Sequence, residues 1–173
     1  SSDLINKSLK KFIYNNGYKN IENIVIDNLK KEDLTLSTAE SCTGGLIGHR
    51  LTQVSGSSAV YVGGVISYSN KSKIDQLNVN SDNIKNFGAV SEQVAIEMAQ
   101  NVRKKFNSSI GVSTTGIAGP DGGSETKPVG LVYVGYCDDK LSFVQKFNFS
   151  SNREANKIRT SQAVLKLILI NNY

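Results

Sequence analysis

Thr38-Ala39-Glu40-Ser41-Cys42-Thr43-Gly44-Gly45 is the stretch that decides the fold. The residues leading into it alternate, with Leu34, Leu36 and Thr38 on one side and Thr35 and Ser37 on the other. That pattern over Leu34 to Ala39 predicts a short strand. After the two glycines, Leu46-Ile47-Gly48-His49-Arg50-Leu51 carries apolar residues at helical spacing. The unit is therefore strand, glycine-rich turn, helix. Such a turn brings small hydroxyls and backbone N–H groups to one point, where the helix dipole favours negative charge. It suits a phosphate, a carboxylate, or a nucleophile whose attack creates an oxyanion. A plain strand-to-helix connection capped by Ser or Thr would look the same, so this stretch alone leaves function open.

The chain has 173 residues, enough for one domain with a real core. Its 39% hydrophobic and 20% charged content fits a globular protein, and no run approaches the roughly 20 apolar residues of a membrane span. The start, Ser1-Ser2-Asp3-Leu4, lacks the basic and apolar regions of a signal peptide, so a cytoplasmic location is expected. Cys42 and Cys137 make no metal-ligand spacing and read as thiols. The net charge of +5 comes from lysines, many beside asparagines: Asn6-Lys7, Lys19-Asn20, Asn70-Lys71 and Asn156-Lys157. No basic run is interleaved with aromatics, which argues against nucleic acid as a partner. A modest basic excess does suit an anionic small ligand.

Residues 1–19 are polar and irregular apart from Phe12, Tyr14 and Tyr18, and are expected to be an extension or linker before a domain spanning 20–173. Asn20 to Asp33 reads as an amphipathic helix, with Ile21, Ile24, Val25 and Leu29 on one stripe. The helix after the glycine turn is expected to reach about Gln53. Tyr61 to Tyr68 is apolar and rich in β-formers, and reads as a second, buried strand. Ser69-Asn70 can cap a short helix from Lys71 to Leu77, and Ser91 starts a longer one to about Phe106. Ser109 to Thr115 is a third strand. It opens into the longest Gly/Pro-rich loop, residues 114–128. Gly130 to Cys137 and Leu141 to Phe149 read as a hairpin across Asp138-Asp139-Lys140, and a last helix runs from about Arg153 to Ile170. This order predicts a three-layer α/β/α sandwich on a mixed, mostly parallel sheet. In such sheets ligands gather at the carboxyl ends of the parallel strands, so the loops 39–45, 68–73 and 114–128 are expected to converge.

With these loops in view the sequence resembles the C-terminal domain of the CinA competence/damage-inducible proteins, a family that includes stand-alone nicotinamide-mononucleotide deamidases. The resemblance is carried by four motifs: Thr38 to Gly45; Tyr68-Ser69-Asn70 with Lys73; Gly88-Ala89-Val90-Ser91; and Thr115-Gly116-Ile117-Ala118-Gly119-Pro120-Asp121-Gly122-Gly123 followed by Lys127-Pro128-Val129-Gly130. It covers about residues 20 to 170. It implies hydrolysis of the carboxamide of nicotinamide mononucleotide, with release of ammonia, by a serine assisted by lysine, without metal or other cofactor. Ser41, Tyr68 and Lys73 fall on the family's catalytic positions. Thr115 and an arginine at the start of the last helix fall on substrate-contact positions. The family's Gly-Asp-Arg approach to that helix reads Ser151-Asn152-Arg153 here, which leaves Arg159 as a second candidate. Many relatives carry a further N-terminal domain, and residues 12–19 resemble the link into the C-terminal domain of such two-domain proteins, the pattern of a piece of a longer protein. The expected partners are a small nucleotide substrate and further copies of the chain, with no nucleic acid and no membrane.

The residues are consistent with that chemistry. Amide hydrolysis needs a nucleophile, a base that becomes an acid, and oxyanion donors. His49 would lie two helical turns, about 10 Å, from Cys42, too far for a local Cys-His pair. A lysine acts as base only when its pKa falls well below about 10.4. Lys73 sits near the positive end of its predicted helix, which disfavours the ammonium, whereas Lys71 reads as a surface lysine. Tyr68 either relays a proton or orients the lysine, or is a core aromatic with its hydroxyl at the rim. Glu40 either orients Lys73 or Tyr68, or is a helix N-terminal carboxylate. Glu40, Thr43, Gly44, Gly45, Thr115, Gly116, Gly119 and Arg153 make up the expected substrate-binding set, with the glycines offering backbone donors. No Gly-Lys-Ser/Thr follows the 116–123 loop, so it is not a P-loop, and Asp121 lacks carboxylate partners at metal spacing. A module that binds a nucleotide without turnover is the competing reading. A third reading, a partner-docking domain, has no basic-aromatic surface behind it.

Overall fold

Strand β1 (Leu36–Glu40) is buried along its whole length. Other strands flank it on both sides, and helices cover both sheet faces. A computed structural model of the chain describes residues 20–172; the expected extension 1–19, with Phe12, Tyr14 and Tyr18, lies outside the described residues. The described elements run α1 (Ile21–Lys31), β1, α2 (Leu46–Thr52), a 3-10 turn at Ser57–Ala59, β2 (Tyr61–Ile66), α3 (Asn70–Leu77), α4 (Ser81–Phe87), α5 (Glu92–Phe106), β3 (Ile110–Gly116), β4 (Leu131–Cys137), β5 (Ser142–Asn148) and α6 (Arg153–Asn171).

The described strands form one sheet in the order β2-β1-β3-β4-β5. β1 pairs parallel with β2 and β3, and β4 pairs antiparallel with β3 and β5. Only β4 runs against the rest, so the sheet is mixed with most strands pointing one way, as expected. On one face Leu36, Ile110, Val112, Val132 and Val134 pack with apolar residues of α1, α2 and α6. On the other, Ala39 packs with Leu77, Val94, Met98 and Val102 from α3 and α5. The alternation along β1 therefore separates two cores rather than core from solvent. This is the three-layer α/β/α sandwich.

Helix α5 presses directly on β3. A Cβ at Gly111 would lie 2.2 Å from the Ala99 carbonyl oxygen and 2.6 Å from Arg103 Cβ. The close approach of helix to sheet thus depends on the missing side chain. Most expected elements lie within two residues of their observed bounds. Two expectations fail. Tyr61 to Tyr68 is not a buried strand: β2 ends at Ile66, pairs only with β1, and alternates half-buried with exposed residues. Its β-branched residues reflect strand propensity at a sheet edge, with Val62 and Ile66 open to solvent. Helix α4 was not expected, because Ser81–Phe87 buries no residue and so shows no apolar stripe. Its signal was the cap, where Asn80 Oδ1 accepts from Asp82 N–H at 2.8 Å.

Gly111→Ala should cost roughly 3 kcal/mol of stability, since backbone rather than a flexible side chain blocks the new methyl. A shift in the urea midpoint with unchanged slope measures it.

Candidate active site

Strands β1, β2 and β3 are mutually parallel, so their carboxyl ends open on one edge of the sheet. Ser41 follows β1 directly and is fixed to β3 by its N–H, which donates to the Thr114 carbonyl at 3.0 Å. Lys73 comes from α3, whose first turn is capped by Ser69 Oγ accepting from Ser72 N–H at 3.0 Å. The Lys73 side chain is only 1% exposed. Its Nζ donates to Ser41 Oγ at 2.9 Å and to the Ser67 carbonyl at 2.7 Å. Burial pulls its pKa from the ordinary 10.5 down to about 8. No carboxylate is hydrogen-bonded to it among the described residues; its acceptors are one hydroxyl and one carbonyl. Lys71, in contrast, is exposed and pairs with Asp75 on the helix surface.

The turn after Ser41 is organised by Glu40. Its carboxylate is 2% exposed and accepts from Gly45 N–H at 2.9 Å, Ile47 N–H at 3.1 Å and Gly48 N–H at 2.9 Å. The negative charge favoured at the start of α2 is thus supplied by the protein itself. Of the two roles open to Glu40, the helix-terminal carboxylate is the observed one; it makes no hydrogen bond to Lys73 or Tyr68. Gly45 adopts φ +95°, and a Cβ there would meet Ile66 Cδ1 at 2.9 Å, so the turn requires glycine.

This organisation redirects several expected contacts. Gly45 N–H is taken by Glu40, and Gly44 N–H donates to the Ser41 carbonyl at 3.1 Å, so neither is available to an oxyanion. Thr43 is fully buried, with its hydroxyl on that of Thr114 at 2.8 Å. Thr115 is also buried and donates to the Ala89 carbonyl at 2.7 Å, which ties β3 to the Gly88–Ser91 segment rather than facing the cleft. What remains beside Ser41 are the backbone N–H groups of Cys42 and Thr43, which donate to no described residue.

A cleft of about 230 Å³ opens over Ser41, lined also by Cys42, Tyr68, Gly116 to Gly119, Asp121, Gly122 and Arg153. The three loops do converge here. Tyr68 is 57% exposed and belongs to the rim, not to the core. Its hydroxyl accepts from Arg153 Nη2 at 2.7 Å, and no hydrogen bond joins it to Lys73. Arg153, the first residue of α6, also donates through Nη1 to the Gly119 carbonyl at 2.7 Å. It clamps the tyrosine to the glycine-rich loop. Arg159 lines neither this cleft nor the neighbouring groove. Burial pushes the Cys42 thiol up to about 12, so it stays protonated at neutral pH and is a poor nucleophile. His49 is exposed on α2. Among the described residues no three His, Cys, Asp or Glu side chains gather as a metal cluster. Sequence reasoning missed the Ser67 carbonyl, which holds the lysine and leaves no side-chain signal, and the place of Asp121 in the cleft lining.

Fold and site together define an α/β sandwich domain with a buried serine–lysine pair at the carboxyl end of its parallel strands. The chain belongs to the CinA C-terminal domain family, whose model matches residues 18–171. It is 46% identical over 166 residues to a CinA-like protein of Cytophaga hutchinsonii, covering 96% of this chain and 40% of that one. It is also 46% identical over 161 residues to a putative competence-damage inducible protein of Clostridium perfringens, covering 93% of this chain and 39% of the relative. The chain thus spans about two fifths of the length of these curated relatives. Among solved structures it matches the competence/damage inducible protein CihA of Agrobacterium tumefaciens with TM-score 0.84 and 35% identity, over 91% of this chain and 99% of that chain. A CinA superfamily protein of Klebsiella pneumoniae gives TM-score 0.84 at 26% identity, over 88% of this chain and 97% of that one.

The buried lysine has a stability signature. Between pH 8 and 10.5 the native state holds Lys73 neutral while the unfolded chain keeps it protonated, so stability rises with pH across that window. Below pH 8 the burial cost is fully present, on the order of 3 kcal/mol. Lys73→Met removes it and leaves the Ser67 carbonyl without this donor, a loss of about 1 kcal/mol. The variant should therefore be roughly 1–2 kcal/mol more stable at pH 7, with the slope between pH 8 and 10.5 gone. Denaturant melts at several pH values measure both.

Proposed function

We propose that this domain is an amidohydrolase that converts nicotinamide mononucleotide to nicotinate mononucleotide and ammonia through Ser41 and Lys73. The observation that carries this reading is the 2.9 Å contact between Ser41 Oγ and the Nζ of a lysine whose pKa burial has lowered to about 8. An amine so depressed is partly neutral near physiological pH and has a lone pair to take the serine proton.

The steps follow from the placement of the groups. Lys73 Nζ accepts the Ser41 hydroxyl proton while Oγ bonds to the carboxamide carbon. The C=O π pair moves to oxygen and forms a tetrahedral oxyanion. The N–H groups of Cys42 and Thr43, adjacent to the attacking atom and without backbone acceptors among the described residues, are its donors. The Lys73 ammonium then protonates the amide nitrogen, the C–N bond breaks, ammonia leaves, and an ester remains on Ser41. A water molecule gives its proton to the neutral lysine and attacks the ester carbon. Collapse of this second intermediate returns the proton to Ser41 Oγ and frees the carboxylic acid. Tyr68 and Arg153 shape the mouth of the cleft.

Ammonia release from nicotinamide mononucleotide should be lost in Ser41→Ala and should fall by about 1,000-fold or more in Lys73→Ala. Lys71→Ala and Cys42→Ala should each stay within about threefold of the parent, and EDTA should have no effect. kcat/KM should rise with pH through about 8, because only the neutral amine is a base. A flat profile, or ammonia release that survives Ser41→Ala, contradicts the mechanism. Tight nucleotide binding with no ammonia release would leave a binding module in its place.

A further inference from the structure

A second depression adjoins the reaction cleft. It lies between α2 and α6, has a volume of about 400 Å³, and is lined by Leu46, Arg153, Glu154, Lys157 and Ile158. Arg153 lines both spaces, so the two adjoin at its side chain. Resting on the amidase reading, we propose that this groove seats the phosphate monoester of the substrate and that Lys157 is its counter-ion.

Two cations stand on this wall because residues 153 and 157 are four apart on α6 and share a helix face. They are not equivalent. Arg153 already donates to the Gly119 carbonyl and the Tyr68 hydroxyl, so part of its fork holds the cleft walls together. Lys157 is half-buried and makes no hydrogen bond or ion pair with a described residue. Its Nζ stands 3.7 Å from where a Cβ of Gly44 would be, beside the turn that carries Ser41. A half-buried ammonium without an acceptor is a site of unmet charge. Leu46 and Ile158 add apolar surface to the groove.

The position also fits the shape of the ligand. A carboxamide held at Ser41 sits in the smaller space, and a ribose phosphate leaving it past Arg153 enters the larger one. Arg159 is six residues beyond Arg153, about 120° away around the helix, which turns it off this wall. Glu154 is the opposing charge. It lines the same groove, and its carboxylate repels an anion there. Lys157 and Glu154 should therefore move phosphate affinity in opposite directions, which a merely structural role for α6 would not do.

The test is an NMR titration of the 20–172 domain, within its full chain, with ribose 5-phosphate and, as control, ribose. Ribose 5-phosphate should shift the amides of residues 44–46 and 153–158, and ribose should not. Lys157→Met should weaken ribose 5-phosphate by about tenfold, and Glu154→Gln should tighten it by about two- to threefold. In the ammonia assay Lys157→Met should lower the preference for nicotinamide mononucleotide over the dephosphorylated riboside by about tenfold. Shifts confined to residues 116–122, or wild-type binding by Lys157→Met, overturn the proposal. Ammonia release with an unchanged preference in Lys157→Met overturns the groove and leaves the amidase standing. Phosphate seated in the groove of a protein that releases no ammonia does the reverse.

Discussion

A lysine ammonium removed from water without an acidic partner is unfavourable, and the site is built around that fact. Lys73 is buried against Ser41 and the Ser67 carbonyl, with one hydroxyl and one carbonyl as its hydrogen-bond acceptors. Both acceptors hold the amine in place, but neither carries the charge that would keep it protonated. The protein tolerates the cost because the rest of the sandwich is well packed on both faces of the sheet. Destabilisation and basicity thus have one origin, the desolvation of a single nitrogen.

The second constraint is Glu40. Three backbone N–H groups at the start of α2 need acceptors, and the preceding strand delivers one carboxylate to all three. This fixes the turn and directs Ser41 toward Lys73. It also takes the Gly45, Ile47 and Gly48 N–H groups out of reach of an external anion. Positive charge for an anionic ligand must then come from side chains at the mouth, and α6 carries Arg153 and Lys157 there. On the proposed reading, the turn that carries Ser41 and the groove beside Lys157 are complementary consequences of one buried carboxylate.

Much of this was legible in the sequence. The β-α unit around Ser41 showed in the alternation before it and the glycines after it. Lys73 was separable from Lys71 because Ser69 marks the cap and so sets which lysine lies one turn in. What escaped was decided by partners distant in sequence. Thr43 and Thr115 look like pocket hydroxyls, but Thr114 and Ala89 hold them. The N–H groups of Gly44 and Gly45 look free, yet Ser41 and Glu40 accept them. Tyr68 follows an apolar run that suggests burial, but its strand is at the sheet edge, which only the strand order reveals. Family resemblance located Ser41, Tyr68 and Lys73 together; it did not tell which groups around them are already engaged.

The most direct test of the account is the titration of Lys73 itself. With the lysine side chains labelled with ¹³C at Cε, each reports its own protonation by NMR. Lys73, assigned by its loss in Lys73→Met, should titrate near pH 8. Its signal should also shift in Ser41→Ala, since the two side chains touch. Titration of Lys73 at its ordinary 10.5 would mean that the amine is solvated and charged. Ser41 would then have no base beside it.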